Sequence, residues 1–362
     1  MRLSEIQEKI VKTDKKKVHV ISAAASGKTS LVVNRIKYLL DKGVNPEKIV
    51  AITFTNNAAN EMYERLGRPD GLFIGTVHSY CNYLLRSEGI DTSEYLVDEK
   101  FDGLFELFKK NYQCLRPIEH LIVDEFQDSS PEQIDFFKFL VPDNYMYCYD
   151  PRQAIYNFNK ADINKVFLTQ NEPGVTIYEM NENYRNACNI LNFAKNILLN
   201  LGSEYRDNSI TMRKENGFIE HTHWSYHNIV DYFLYEVKPE NYKDWFILGR
   251  RNQELHILGA MLDKEGIPYT NFKQGNLTRE EIEKEVNSNK IKLLTIHSAK
   301  GLESPNVLVI NVGAYYSDEE RRVYYVAATR AKNYLVWNRM ENKQKKKKVE
   351  KPKVEVKMID WE

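Results

Sequence analysis

Several features that would narrow a function are scarce in this sequence. Its 362 residues hold only four cysteines, Cys81, Cys114, Cys148 and Cys188, far apart and with no CxxC pair. That excludes a disulfide framework and a zinc knuckle and implies reduced thiols. Net charge is absent as well, since Lys+Arg 51 balance Asp+Glu 51. No global basic field announces nucleic acid, so any such site has to be a local stripe of mixed chemistry. There is no apolar run of membrane-spanning length and no N-terminal signal pattern, so a cytoplasmic protein without membrane contact is expected. Repeats and Gly/Ser linkers are missing, and no nuclease constellation is visible.

What is present is globular: 42% hydrophobic and 28% charged residues, in a chain long enough for two ordinary domains. Short β-like runs, "KVHVIS", "KIVAITF", "HLIVDE", "YMYCYD" and "GVTIYEM", alternate with helical patterns from about Lys28 and over "NAANEMYERL". The alternation restarts with "GFIEHTHW", "DWFILG", "KIKLLTI", "NVLVINV" and "NYLVW". This predicts an α/β fold with two largely parallel sheets flanked by helices. The restart places a boundary near 175–185, with domains at 1–180 and 181–340 and a small helical insertion at about 80–117. Residues 341–362 turn to lysine and read as a disordered basic tail. In "HTHWSYH", His221 and His223 would share one strand face, but no Cys or acid follows at ligand spacing, so a surface strand is expected rather than a metal site.

Two stretches carry chemistry. "KVHVIS" runs into "SAAASGKTS", where Gly27, Lys28 and Thr29 open a helix. Backbone N–H groups there can cradle phosphate, with Lys28 on the terminal phosphates and the Thr29 hydroxyl on Mg²⁺. "HLIVDEFQD" ends a buried strand with Asp124 and Glu125. The strand should lie beside the loop in a parallel sheet, with Asp124 on the ion and Glu125 orienting or deprotonating a water. Together these residues describe a nucleoside triphosphate hydrolase.

The chain resembles the UvrD/Rep-type superfamily 1 DNA helicases at successive motifs in that family's order. These are "LSEIQ", "SAAASGKT", "ITFTNNAANEM", "GTVHSY", "VDEFQD", "YDPRQAIYNF", "NENYRN", "LLTIHSAKGLE" and "EERRVYYVAATRAK", from about residue 3 to 338. The resemblance implies two RecA-like motor domains with ATP in the cleft between them. It implies Gln7, Ser26, Gly27, Lys28, Thr29, Ser30, Tyr184 and Glu303 at the nucleotide, and Thr29 and Asp124 at Mg²⁺. Lys28, Glu125, Gln153, Arg185 and Arg330 become the catalytic set, the two arginines reaching the γ-phosphate from the second domain. Phe54, Tyr156 and Phe158 are expected to stack on DNA bases, and Asn56, Thr76, His78, Thr295 and His297 to meet the strand. Stacking explains how a neutral protein could hold single strands.

Departures from the pattern modify that expectation. Ala23 and Ala25 stand where glycine is usual, and strain follows if those positions need positive φ. Ser30, Asn57, Asn60 and Ser304 replace common basic or large residues, implying weaker phosphate contacts. Between His78 and Asp124 there is room only for the small helical piece "TSEYLVDEKFDGLFELFKK". The resulting expectation is a monomeric 3′–5′ single-stranded DNA translocase and helicase, using ATP and Mg²⁺, with weak or partner-dependent unwinding at single/double-strand junctions. The alternative is a DNA-stimulated ATPase switch or clamp within a larger assembly. The Lys345–Lys348 run and the "MIDWE" tip would serve as a DNA arm and a docking peptide for a protein partner, or as a solvated tail.

Overall fold

The computed structural model describes residues 3–97, 102–111, 118–140, 144–271, 281, 284–285 and 287–339. The expected tail, with Lys345–Lys348, lies outside the described residues. Strands β1 (Lys17–Ser22), β2 (Ile49–Ile52), β3 (Phe73–Gly75), β4 (His120–Val123), β5 (Tyr145–Tyr149) and β6 (Val175–Met180) form one sheet in the order β3-β2-β4-β5-β1-β6. Every pair in it is parallel. Helices α1 (Glu5–Val11), α2 (Lys28–Asp41), α3 (Asn56–Arg65), α4 (Val77–Ser87), α5 (Ser93–Val97), α6 (Asp102–Asn111), α7 (Pro131–Leu140) and α8 (Ile163–Thr169) accompany it. After a two-stranded ladder, β7 (Glu182–Asn183) with β8 (Ile210–Thr211), a second sheet follows. It comprises β9 (Phe218–Thr222), β10 (Trp245–Gly249), β11 (Tyr269–Asn271), β12 (Ile291–Thr295), β13 (Ser304–Val312) and β14 (Ala331–Arg339), ordered β11-β12-β10-β13-β14-β9. It too is wholly parallel, and α9 (Cys188–Ile197), α10 (Tyr226–Tyr235), α11 (Asn252–Lys264) and α12 (Asp318–Ala328) flank it.

Parallel strands need helical crossovers and are covered on both faces, so their side chains alternate between two cores. In β5, Tyr145, Tyr147 and Tyr149 enter one cluster and Met146 and Cys148 the other. Leu121 and Val123 of β4 part from Ile122 in the same way. The second sheet repeats this: Phe246 and Leu248 face one cluster, Trp245 and Ile247 the other. One of those clusters also takes Ala24 and Ile155 from the first unit, so the two sheets share apolar contact across their boundary. Strands β3, β7, β8 and β11 are two or three residues long, too short to show an alternating pattern in sequence. Among the described residues no helix is long and apolar enough to cross a membrane.

Strand β4 is not the neighbour of β1; β5 lies between them. The carboxyl edges still converge, because three parallel strands present their ends to the same side. Edge residues after β1 and β4 therefore meet across the end of β5.

The first core contains one polar misfit. His19 is fully buried, with Nδ1 3.1 Å from the Tyr149 hydroxyl and Nε2 without a partner among the described residues. Rings of Phe126, Tyr145, Tyr147 and Tyr149 meet it edge-on. Burial pushes the imidazole down to about 4, against an opposing pull from Glu172. A depressed folded value means that only the unfolded chain takes up the proton below 6.5. The stability His19 confers is present above that pH and is lost as pH falls toward 4, about 3 kcal/mol at most. Urea midpoints should therefore drop between pH 7 and pH 5, and His19→Phe should shrink that drop. An identical drop in the variant would assign the acid sensitivity to other groups.

Candidate functional site

The loop of residues 23–27 joins β1 to α2. Gly27 has φ 83°, and a Cβ there would stand 2.8 Å from Gln7 Nε2, so this position needs glycine. Ala25 has φ 57° whereas Ala23 does not have positive φ. The condition for strain, a positive φ, is met at Ala25 alone, at a cost of about 1–2 kcal/mol. Residues beyond the first sheet clamp the loop: Tyr184 N donates to Ala25 O at 3.2 Å and Asn183 Nδ2 to Ala24 O at 2.9 Å. The Ser26 hydroxyl is buried without a partner among the described residues.

Opposite the loop, Glu125 adopts a left-handed conformation, φ 55° and ψ 36°, which turns its side chain back toward Lys28. Lys28 Nζ lies 2.7 Å from Glu125 Oε1. Thr29 Oγ1 donates to Asp124 Oδ2 at 3.5 Å. Burial raises the Asp124 pKa despite the charge of Lys28. Burial would also raise Glu125, but Lys28 and Lys300 overcome it and hold the carboxylate low. Lys28 itself is raised, since Glu125 and Asp124 outweigh its desolvation. Gln127 Nε2 ties Glu125 at 2.5 Å to Asp128 at 3.1 Å, and Gln127 Oε1 accepts from Asp150 N at 3.0 Å. Gln153 Nε2 donates to Asp150 Oδ2 at 2.7 Å, which fixes the residue that faces the cleft.

The second sheet meets this edge with its amino end. Glu303 precedes β13 and Arg330 precedes β14, while Arg185 follows β7. Arg185 Nε donates to Glu303 Oε2 at 2.5 Å, and Lys332 pairs with the same carboxylate at 2.6 Å. Burial pushes Glu303 upward, but Arg185 and then Lys332 bring it down to about 2. Arg330 is buried, donates to Val326 O and Leu302 O, and lies 3.4 Å from Gln153 Oε1. Burial, with the charge of Arg185, lowers it to about 9, still protonated at neutral pH. These groups enclose a cleft of about 550 Å³ lined by Ser26, Gly27, Lys28, Thr29, Ser30, Glu125, Gln153, Tyr184, Arg185, Glu303 and Arg330. Gln7 lines an adjoining cavity with Ser30 and Tyr184. Its amide already accepts from Ser4 N and donates to Ser26 O.

Residues that sequence reasoning left out complete the cleft. Lys300 Nζ bonds Asp128 Oδ2 at 2.5 Å and Gln153 O at 3.0 Å, and stands 3.7 Å from Glu125 Oε2. Arg213 lines the rim and donates to Arg185 O at 2.9 Å. Lys300 sits inside the quoted "LLTIHSAKGLE", but its partners are 147 to 175 positions away in the chain, so no local pattern marks it.

The expected strand contacts lie beside the cleft. Phe54 stacks on Tyr156, centroids 4.9 Å apart and 25° between planes. Tyr156 also lies under Lys300 Nζ at 4.9 Å. Phe158 is 73% exposed, the one ring of the three freely presented to solvent. Thr76 and Thr295 play matching parts: each hydroxyl accepts from a serine N three residues on, Ser79 at 3.2 Å and Ser298 at 3.1 Å. Asn56 is exposed at the first turn of α3. His78 packs on Phe105. His297 has both ring nitrogens engaged, Nε2 3.2 Å from Ile155 O and Nδ1 3.5 Å from Arg250 Nη1. Burial and Arg250 lower it to about 4, so at neutral pH it bridges the two units as a neutral ring. His221 and His223 are exposed at the end of β9, and the described residues hold no metal-binding cluster.

Lys300 is what keeps the buried Asp128 carboxylate ionised. Burial already raises Asp128 to about 6, and its Oδ1 has no partner among the described residues. Lys300→Met should destabilise the fold by about 3–5 kcal/mol by stranding that charge. The double variant Lys300→Met/Asp128→Asn should recover most of the loss in urea unfolding, and a simple sum of two losses would disprove the pairing.

A model of the UvrD/REP helicase N-terminal domain matches residues 3–114 and 102–173, and one of the UvrD-like helicase C-terminal domain matches residues 272–342. ATP-dependent DNA helicase PcrA of Staphylococcus aureus (strain NCTC 8325 / PS 47) is 24% identical over 73% of this chain and 50% of its own length. ATP-dependent DNA helicase Rep of Buchnera aphidicola subsp. Acyrthosiphon pisum is 25% identical, over 69% of this chain and 54% of its own. A probable DNA helicase of Mycoplasma pneumoniae is 24% identical, over 92% of this chain and 82% of its own. The chain thus spans about half the length of PcrA and Rep. With both domain models matched in order, and two parallel α/β sheets meeting at a shared cleft, the chain belongs to the UvrD/Rep family of helicases.

Proposed function

We propose that this chain is an ATP- and Mg²⁺-dependent motor, with domains at 1–180 and 181–340, that moves 3′ to 5′ on single-stranded DNA and separates strands weakly or with a partner. The observation that carries the reading is the composition of the cleft. Lys28 and Glu125 stand on one wall, Gln153 beside them, and Arg185 and Arg330 on the other. The direction of travel comes from the family resemblance. The reduced unwinding follows from the compact segment between α4 and β4, which holds only α5 and α6 among the described residues.

Phosphoryl transfer to water asks mainly for positioning and charge neutralisation. Lys28 exchanges Glu125 for the terminal phosphates. The exchange frees Glu125, which its low pKa keeps ionised, to orient the attacking water. Arg185 and Arg330 neutralise charge gathering on the phosphoryl group only when both walls are close. Hydrolysis is thereby tied to the distance between the units. The Thr29 hydroxyl and Asp124 carboxylate form a hard-oxygen pair suited to Mg²⁺. When bound, the ion would neutralise phosphate charge. Phe54, Tyr156 and Phe158 line the single strand along the same edge of the first sheet.

Glu125→Gln should retain ATP binding and lower turnover by about 100- to 10,000-fold. Hydrolysis at the native rate would remove Glu125 from the role. Strand displacement on duplexes with a 3′ or a 5′ single-stranded tail, with ATP hydrolysis followed in the same samples, tests the motor. Displacement confined to the 3′-tailed duplex is expected. Brisk DNA-stimulated hydrolysis with no displacement from either tail would instead indicate a switch or clamp within a larger assembly.

A further inference from the structure

A chain of buried polar groups leads from α12 to the back of Gln153, and Arg152 is its centre. The Arg152 side chain is 3% exposed and stands between two carboxylates shut away from solvent, Asp150 and Asp207. Its Nε donates to Asp150 Oδ1 at 2.5 Å, and its backbone N donates to the same oxygen at 3.1 Å. Its Nη1 donates to Asp207 Oδ1 at 3.1 Å and to Arg206 O at 3.4 Å. Asp150 follows β5 of the first sheet, whereas Asp207 precedes β8. Asp207 Oδ2 accepts from the hydroxyl of Tyr325, in α12, at 2.8 Å, and Oδ1 accepts from Ser209 N at 2.9 Å. Burial would raise Asp207, but Arg152 and these donors hold it below the usual carboxylate range.

Three charges out of water are a poor source of stability, since apolar groups of similar size often serve as well. What they accomplish is seen at the second oxygen of Asp150, which accepts from Gln153 Nε2 at 2.7 Å. A carboxylate accepts and cannot donate. It therefore selects the NH₂ end of the amide and turns the oxygen toward the cleft, where Oε1 lies 3.4 Å from Arg330 Nη2. That oxygen can accept a proton from a water and leave the water's lone pair free for attack. A reversed amide would set donor against donor at Arg330 and would occupy the lone pair. We propose that Arg152 and Asp207 are positioning residues for ATP hydrolysis: Arg152, anchored by Asp207, fixes the Asp150 carboxylate so that Gln153 presents its oxygen to the attacking water. This rests on the hydrolysis proposed above and adds to it two residues that do not themselves line the cleft. Arg322, also of α12, holds the next carbonyl, Ala154 O, at 2.7 Å. The aim of Gln153 is thus set from the second sheet's side of the boundary.

The test measures steady-state ATP hydrolysis, with single-stranded DNA present, for the full chain and for Arg152→Met, Asp207→Asn and Gln153→Ala. It includes the two double variants that carry Gln153→Ala, and urea unfolding of each protein reports folding. Arg152→Met should lower kcat about ten- to hundredfold and Asp207→Asn about three- to tenfold, with KM for ATP within about twofold of native. In the Gln153→Ala background the same substitutions should change kcat by less than about twofold, because the group they position is gone. Losses that multiply in that background would overturn the proposal, as an effect spread through the fold. Native kcat in Arg152→Met would overturn it too. If Arg152→Met does not fold, Asp207→Asn carries the same comparison alone. Native protein that hydrolyses no ATP would remove the reaction itself, and the positioning role with it.

Discussion

One carboxylate is shared by two lysines from opposite units. Glu125 leaves β4 in a left-handed conformation, pairs with Lys28 of its own unit and stands within reach of Lys300 from the other. Two buried acids, Asp124 and Asp128, with the partly exposed Glu125 beside them, are tolerable in one place only because those two ammonium groups stand between them. The arrangement makes the neighbours interdependent. Gln127 spans Glu125, Asp128 and the backbone of Asp150, and Asp150 in turn holds Gln153. A charge introduced at Lys28 is therefore felt at Lys300 and, through its ring contact, at Tyr156.

Parallel topology explains why the second unit offers this site the opposite end of its sheet. Strands β12 and β13 run the same way, so residues 296–303 must return from the carboxyl edge to the amino edge before β13 can begin. That return passes along the boundary with the first unit. His297 leads it, against Ile155; Lys300 follows, on Asp128 and Gln153; Glu303 ends it, holding Arg185. One short segment thus touches both the aromatic rings of Tyr156 and Phe158 and the cleft lined by Lys28 and Arg330.

The two units also treat their helix N-termini differently. In the first, the helix after β1 opens on a glycine and backbone N–H groups with no acid in its first turn. In the second, the equivalent end of α11 is filled by its own carboxylate, Glu254, which accepts from Arg250 N and Arg251 N at 2.9 and 3.0 Å. An anion site already satisfied by a side chain has little to offer a phosphate. The chemistry is accordingly concentrated at one edge, and the second unit contributes cations to it.

Alternating α/β order, the Gly27–Lys28–Thr29 loop at a helix start and the acidic strand end were all legible in the sequence, because each depends on neighbours within a few residues. Periodicity reports which residues face a core, and a G-K-T before a helix reports a helix N-terminus. The glycine requirement was only half legible: two alanines looked alike, and backbone geometry strained Ala25 alone. Contacts between distant segments were out of reach. The partners of Lys300 and the engagement of both His297 nitrogens depend on how the two sheets approach each other. The sequence by itself determined the longer strands and helices and the charged residues at their ends. Only the tertiary structure decided which of those ends share a carboxylate, since charge pairing across a boundary depends on distance in space and leaves no period along the chain.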